Sequence, residues 1–345
     1  MIMTAPVDWR APSIEETPTM SQAGRALAHA FEIGALVAPE GRTFLLRAEP
    51  GTLGDVDAEQ SLRPEYLRLK RAHWKVVPRL TETGYGQGLV LLTKHKEENF
   101  ANIARAWDLL VPGGVLACAG ANEDGAASLE KNVAKAFDGA NQLFKFHSRV
   151  FWFAKGERAP PDYWRQLATL QPVGDGSWKS QPGLFSWDRV DDGSALLVQH
   201  LPSDLAGSVA DFGCGWGFLA RHVLAHCPGV MSIDGIDAEH RALEAAEVNV
   251  TDARAKFHWL DLVTEAAPAT YDAIVCNPPF HSGRAATPSL GQQIIEAASR
   301  ALKPGGRLYM VANRGLPYEP TLKANFTSFE TLADNNKFKI TKAVR

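Results

Sequence analysis

Asp211-Phe212-Gly213-Cys214-Gly215-Trp216-Gly217 follows an apolar run, Ser208–Phe212, and opens a helical pattern, Phe218–His226. Glycines lack a Cβ, so the backbone here can turn sharply and approach a ligand closely. The N-terminus of the following helix offers free N–H groups and a partial positive charge, suited to a ligand carboxylate. A dinucleotide loop of the G-x-G-x-x-G type would need glycine where Phe218 stands, so NAD is disfavoured. No G-K-[ST] follows, which excludes a P-loop. A purely structural glycine turn is the plainer alternative. The strand–loop–helix setting, with glycine at alternate positions, favours a cofactor loop.

Outward from the loop the α/β rhythm is regular. Strand Met231–Ile236 leads to helix Ala238–Val250, then come strands Phe257–Leu260 and Ala273–Cys276, helix Gly291–Leu302 and strand Arg307–Ala312. Asp237 ends the second strand, where an acid can bind ribose hydroxyls; Asp234 is the alternative, because strand ends are hard to place. Asp261 ends the third strand and can accept from an adenine amino group, or it is a solvated loop aspartate.

Asn277-Pro278-Pro279-Phe280 follows the fourth strand directly. Two prolines stiffen the turn, so the Asn277 side-chain oxygen and the Pro278 carbonyl face one fixed place. Two acceptors can hold both hydrogens of a planar NH₂ group and favour a pyramidal nitrogen with a usable lone pair. Phe280 offers a flat face for stacking a base. The alternative is a proline turn that merely closes a strand. Together with the glycine loop, the tetrapeptide implies S-adenosylmethionine as methyl donor and an amino group as acceptor.

The first half carries short strand-like runs at Phe44–Arg47, Gly88–Thr93, Val115–Ala119 and Val150–Ala154. Helical stretches lie at Ser21–Val37, Asn99–Leu110 and Ala127–Phe137. Strands alternating with helices predict a mostly parallel sheet. Leu109-Leu110-Val111-Pro112-Gly113-Gly114-Val115-Leu116 resembles Ala301-Leu302-Lys303-Pro304-Gly305-Gly306-Arg307-Leu308. Either "PGG" is a common helix-to-strand turn, or one α/β domain is duplicated and the first copy has lost its cofactor loop. The expected organisation is a flexible arm at 1–22, a degenerate domain at 23–158, a Pro- and Gly-rich linker at 159–182 and a catalytic domain at 183–345. The chain end, Ser328–Leu332 and Phe338–Val344 around Asp334-Asn335-Asn336, reads as a β-hairpin.

The 345 residues suit two domains, and the formal net charge of −3 gives no global signature of nucleic-acid binding. An RNA contact would need a local patch. One candidate is Arg63, Arg68, Lys70, Arg71, His73, Lys75 and Arg79, with Tyr66 and Trp74 interleaved and Lys94, His95 and Lys96 beyond. An ordinary solvated helix face is the alternative. The four cysteines form no C-x-x-C pair or zinc-spaced cluster, so reduced thiols and no metal are expected. No apolar run reaches bilayer length and the N-terminus does not read as a signal peptide, so a soluble cytoplasmic protein is expected.

The chain resembles a known family through Gly183-Leu184-Phe185-Ser186, Asp191-Asp192-Gly193-Ser194, Asp211 to Gly217, Asn277 to Gly283 and Lys337-Phe338-Lys339. These motifs are similar to those of bacterial ribosomal RNA guanine-N2 methyltransferases of the small-subunit RsmC type, with the large-subunit RlmG type close behind. The resemblance implies two tandem Rossmann-like methyltransferase domains, with a mostly parallel seven-stranded sheet and a C-terminal β-hairpin, and with the N-terminal copy degenerate and supporting RNA binding. It implies that Asp211, Gly213, Gly215, Gly217, Asp237 and Asp261 bind S-adenosylmethionine, that Phe185 and Ser186 cap it, and that Asn277 contacts cofactor and target. Asn277, Pro278 and Phe280 would hold the guanine. Trp216 inside the glycine loop departs from the family pattern. The expected activity is N2 methylation of a guanine in 16S rRNA by a monomer whose partner is rRNA or the small ribosomal subunit. A 23S guanine, a release-factor glutamine and a DNA adenine are the alternative acceptors. A non-enzymatic RNA-binding factor that merely retains the fold is a further reading.

Overall fold

The computed structural model describes residues 20–38, 41–51, 53, 55–279, 281–282, 285–286 and 288–345. It divides into two compact units: residues up to Gln171 with 181–183, and 172–180 with 184–345. No helix among the described residues is long and apolar enough to cross a membrane.

The first unit is built on β1 (Thr43–Leu46), β2 (Asp57–Glu59), β3 (Val76–Val77), β4 (Tyr85–Leu91), β5 (Leu110–Ala121), β6 (Asn141–Lys145) and β7 (Ser148–Ala154). They form one sheet in the order β3-β2-β1-β4-β5-β7-β6, parallel except for β7, which is antiparallel to both its neighbours. Its helices are α1 (Gln22–Glu32), α2 (Arg63–Arg71), α3 (Lys96–Leu109), α4 (Ala126–Ala136) and α5 (Asp162–Leu167). Ser21 caps α1 by accepting from the Gly24 N–H. Gly34, at φ 72°, follows the end of α1, short of the Val37 expected.

The second unit is built on β8 (Ala206–Phe212), β9 (Gly229–Asp237), β10 (Ala255–Trp259), β11 (Tyr271–Cys276), β12 (Leu302–Asn313), β13 (Ser328–Asp334) and β14 (Phe338–Val344). Their order is β10-β9-β8-β11-β12-β14-β13, again parallel until the final antiparallel hairpin. Its helices are α6 (Asp192–Val198), α7 (Phe218–His226), α8 (His240–Asn249), α9 (Pro288–Ala301) and α10 (Glu319–Asn325). Alternate strand residues serve opposite faces. Val209, Ile233 and Val275 pack with Leu219, Ala220 and Val223 of α7, while Ala210, Phe212, Ile274 and Met310 pack with Ile295 and Ala298 of α9 and Leu322 of α10. Each such fully buried side chain contributes about 1.5–3 kcal/mol.

The two sheets therefore share one topology. The Pro-Gly-Gly turn sits early in the fifth strand of each, with Gly113 at φ 79° and Gly305 at φ 77°. This answers the choice left open by the sequence: the turn marks equivalent places in two copies of one domain.

Strand register aligns the copies residue by residue. Leu46 pairs with Glu59 and Val90, as Phe212 pairs with Ile236 and Cys276. In the first copy Leu45 thus stands where the second has Asp211, Arg47 for Gly213, Gln60 for Asp237 and Leu91 for Asn277. Arg47 keeps the left-handed backbone of its counterpart, φ 61° against 72° for Gly213. The bend survives, without the buried acid, the glycine or the asparagine of the second copy.

The stretch 159–182, expected as a linker, carries structure. Trp164 of α5 is buried in the first core, stacked on Phe100 at 4.4 Å. Gln171–Val173 and Trp178–Ser180 form a two-stranded ribbon.

Candidate active site

In the second sheet the chain leaves β8 on one side towards β9 and crosses later to β11 on the other. A crevice at such a switch point, outside the carboxyl ends of the strands, is where open α/β sheets bind ligands. The glycine loop follows β8, Asp237 ends β9, Asp261 follows β10 and Asn277 follows β11. The cleft there, about 50 Å³ and open on one side, is lined by Phe185, Ser186, Asp191, Ser194, Asn277 and the loop from Gly213 to Trp216, with Phe218 and Leu219 behind.

Gly213, Gly215 and Gly217 have φ of 72°, 53° and 89°, which an L side chain rarely adopts. Gly213 and Cys214 N–H groups both donate to the Ile236 carbonyl, at 2.8 and 3.1 Å, tying the loop to the end of β9. Gly217 caps α7, and its bend lets the helix start against α8.

Asp211 is fully buried. Its Oδ2 accepts from the Ala220 N–H of α7 at 3.0 Å, and its Oδ1 has no partner among the described residues. Burial pushes its pKa up to about 8; the Ala220 N–H pulls the other way and the Asp237 charge adds to the rise. Asp237 accepts from the Gly215 N–H through Oδ2 and from the Glu239 N–H through Oδ1, each at 2.8 Å. Burial raises it to about 6, against the pull of those N–H groups. Asp234, the alternative acid, accepts instead from Tyr271 Oη at 2.9 Å and lies 3.0 Å from His258 Nε2. It serves the sheet, and Asp237 serves the loop.

Asp261 is buried and shapes its own turn, accepting from the Val263 N–H at 3.1 Å and the Thr264 hydroxyl at 2.7 Å. Asp211, Gly217, Asp237 and Asp261 all stand behind the cleft lining and not in it. Phe185 is 58 % exposed at the cleft mouth, and Ser186, at φ 49°, donates its hydroxyl to the Arg189 carbonyl.

Asn277 is held from the opposite side. Its Nδ2 donates to Asp191 Oδ2 and to Ser194 Oγ, both at 2.9 Å. A carboxylate can only accept, so the amide nitrogen must face Asp191 and the carbonyl oxygen is the end left for a ligand. Asp191 Oδ2 also accepts from the Ser194 N–H at 2.8 Å, capping α6. Pro278 is buried beside it. Phe280, the stacking face expected from the sequence, lies outside the described residues.

Trp216 does not stand free in the loop. It is buried, 5.2 Å from Trp178 of the ribbon and 5.8 Å from Phe218, ring centre to ring centre. Asn249 fastens the same corner: it exchanges hydrogen bonds with the Lys179 backbone and donates to the Trp216 carbonyl, all at 2.7 Å. The ribbon, the loop and α8 thus support one another. Asp191, Ser194, Trp178 and Asn249 were not assigned roles from the sequence. Asp191-x-x-Ser194 before an apolar helix carries a capping signal; Asn249 and Trp178 carry none, because only the fold brings them to the loop.

The thiols of Cys214 and Cys276 are driven well above their ordinary range by burial, which disfavours a thiolate nucleophile. No group of three or more metal-ligating side chains occurs among the described residues. In the basic stretch at 63–79, Arg68 pairs with Glu65 at 2.8 Å and Lys75 with Asp57 at 2.5 Å, and Tyr66 and Trp74 pack against the core.

A buried acceptor without a donor at Asp211, beside a bend of three left-handed glycines and a helix N-terminus, fits a small ligand carrying both ammonium and carboxylate. That is the amino-acid end of S-adenosylmethionine. With Asp237 at the neighbouring strand end, the fold and site define a Rossmann-like methyltransferase, and the methyltransferase small domain family matches residues 175–342. The chain belongs to the family of ribosomal RNA small subunit methyltransferase C. The member from Shewanella loihica is 33% identical over 238 residues, 67% of this chain and 69% of that one. Ribosomal RNA large subunit methyltransferase G of Klebsiella pneumoniae is 39% identical over 203 residues, 57% of this chain and 52% of that one. The T. thermophilus 16S rRNA N2 methyltransferase RsmC, solved with AdoMet and guanosine, has a TM-score of 0.75 at 22% identity, covering 94% of this chain and 92% of that one. That likeness extends the shared fold over both units.

Proposed function

We propose that this methyltransferase uses S-adenosylmethionine to methylate the exocyclic N2 of a guanine in 16S rRNA, acting as a cytoplasmic monomer on rRNA or the small subunit. The observation that carries the reading is the orientation of Asn277, a residue of the cleft lining: its NH₂ is spent on Asp191 and Ser194, which leaves the carbonyl as the end for a ligand.

Asp211 and the loop Gly213, Gly215 and Gly217 would hold the amino-acid end of the cofactor, Asp237 the ribose and Asp261 the adenine, with Phe185 and Ser186 over it. The cofactor, when bound, supplies a methyl group on a sulfonium, an electrophile that needs no further activation. Asn277 Oδ1 and the Pro278 carbonyl accept the two hydrogens of the guanine NH₂. This fixes the plane of the base and turns the nitrogen lone pair towards the methyl. Transfer would join the nitrogen to the methyl with loss of the methyl–sulfur bond, and the surplus proton would pass from the nitrogen to solvent water. Catalysis is positioning and alignment of dipoles with charge developing at nitrogen. No covalent intermediate is required.

The test is incubation with labelled cofactor and, separately, unmodified small subunits, naked 16S rRNA, large subunits, release factor and DNA, followed by digestion. The expected product is N2-methylguanosine from 16S rRNA. Label on glutamine, adenine or a 23S guanine alone would overturn the assignment.

A further inference from the structure

The hairpin that closes the first sheet is turned by Phe146 and His147, at φ 51° and 54°. Hairpin turns with both central residues left-handed favour Asn, Asp and Gly, and bulky side chains there are rare. The equivalent hairpin of the second unit is turned by Asn335, whose side chain accepts from the Lys337 and Phe338 N–H groups. In that copy local turn chemistry shapes the tip. In the first copy the tip is strained and carries rings.

Strain that persists at an exposed tip points to what the tip displays. Phe144 is 51% and Phe146 37% exposed, and neither belongs to a core cluster. Arg25 of α1 lies 5.2 Å and Lys145 5.6 Å from the Phe146 ring centre; Arg149 lies 4.3 Å from that of Phe144. His29 meets Phe146 edge-on at 5.9 Å. Arg149 is already tied to Glu130 and Asn122, and His29 faces Glu32. Arg25 and Lys145 have no carboxylate partner among the described residues. Two cations without an acid partner among the described residues thus flank an exposed ring, with a second ring beside it.

We infer that this tip, with Arg25 of α1, binds a single-stranded segment of RNA, bases stacking on Phe144 and Phe146 and phosphates meeting Arg25 and Lys145. Sequence-tolerant single-strand binding combines these two elements: aromatic faces for bases and cations along the backbone. In the basic stretch at 63–79, Arg63 and Lys70 also flank the Tyr66 ring, at 5.7 and 5.6 Å, but Tyr66 and Trp74 are half-buried against the core and Arg68 and Lys75 are paired with acids, so it displays less aromatic face than the tip. The inference rests on the proposed rRNA activity.

The experiment uses the full chain, a fluorescent unstructured RNA oligonucleotide and small subunits. The pair Phe144→Ala/Phe146→Ala is expected to weaken oligonucleotide binding about tenfold or more and to raise the KM for subunits, with cofactor affinity and kcat at saturating RNA unchanged. Phe146→Tyr keeps a stacking face and should bind as wild type does. Arg25→Gln/Lys145→Gln should reduce the slope of log affinity against log salt by about 1.4, the share of two phosphate contacts on a single strand. Ring and charge variants that bind within twofold of wild type, with unchanged salt slope, overturn the inference while 16S methylation stands. Absence of any RNA methylation by wild type overturns the underlying activity instead.

Discussion

Asn277 Nδ2 lies 2.9 Å from Asp191 Oδ2, a hydrogen bond across 86 residues of chain that decides which end of the amide meets the ligand. Asp191→Asn should keep the helix cap, since asparagine caps as well as aspartate. It loses the obligatory acceptor, so Asn277 can turn over. The expected outcome is a kcat lowered roughly 10- to 100-fold, less than the ~10²–10³ for removing an aligned catalytic dipole because the amide stays and only its orientation is lost, with cofactor affinity within twofold. Steady-state kinetics beside calorimetric binding check this. A loss confined to stability would mean the cap is all that Asp191 provides.

Protonation of Asp211 should be linked to cofactor binding. In the free protein its pKa is about 8, so it is largely neutral at pH 7. An ammonium placed beside it favours the carboxylate and lowers that pKa. Affinity should therefore rise with pH up to about 8 and level off above. It should fall further below about 6, where Asp237 also protonates. Binding at pH 7 should release about one proton, seen as a dependence of calorimetric heat on the buffer's ionisation enthalpy. For folding the sign is the reverse: a raised carboxyl pKa favours the folded state at low pH, and that contribution fades as pH rises from 3.8 towards about 8. Asp211→Asn should remove both dependences and weaken cofactor binding.

The glycines should separate by what surrounds them. A Cβ on Gly217 would lie 2.8 Å from Val250 Cγ2 and 3.3 Å from Ala246 Cβ, on a backbone at φ 89°. Gly217→Ala should cost about 2–3 kcal/mol, strain and overpacking together. Gly305 has the same backbone hand, φ 77°, but open space around it. Gly305→Ala should cost about 1 kcal/mol from strain alone. Urea unfolding of both variants tests the difference; equal losses would contradict the packing argument.

Arg47 occupies the place of Gly213 in the first copy and is paired with buried Glu98 at 3.1 Å. Arg47→Ala should leave cofactor affinity unchanged, whereas Gly213→Ala should reduce it. Calorimetric titration of each variant decides; a large loss with Arg47→Ala would assign the first copy a cofactor role.

The sequence made the second unit legible because its central strands are apolar and its motifs sit where strands stop. Asp211 to Gly217 and Asn277-Pro278 fall at the carboxyl edge of the sheet, as their types and spacing required. The first unit was harder to read. Strand β2 is Asp57-Ala58-Glu59, whose acids are buried because Arg42, Lys75 and Arg105 pair with them, and acids in a run of three residues read as loop. Helix α5 was hidden among prolines, and only the stacking of Trp164 on Phe100 shows where it belongs. Trp216 departs from the family pattern in the sequence; its partner Trp178, which gives the indole a place to pack, is 38 residues earlier and comes near only through the ribbon. Pairings that span much of the chain leave no periodic trace.

The proposed reaction needs the Asn277-Pro278 turn to hold the amino group next to a methyl donor bound at the glycine bend. Single-turnover methylation of unmodified small subunits by Asn277→Ala, with calorimetric cofactor binding on the same sample, tests it most directly. The expected result is transfer slowed by about two to three orders of magnitude, as for loss of an aligned catalytic dipole, while cofactor binds within twofold of wild type. Transfer at the wild-type rate would contradict it.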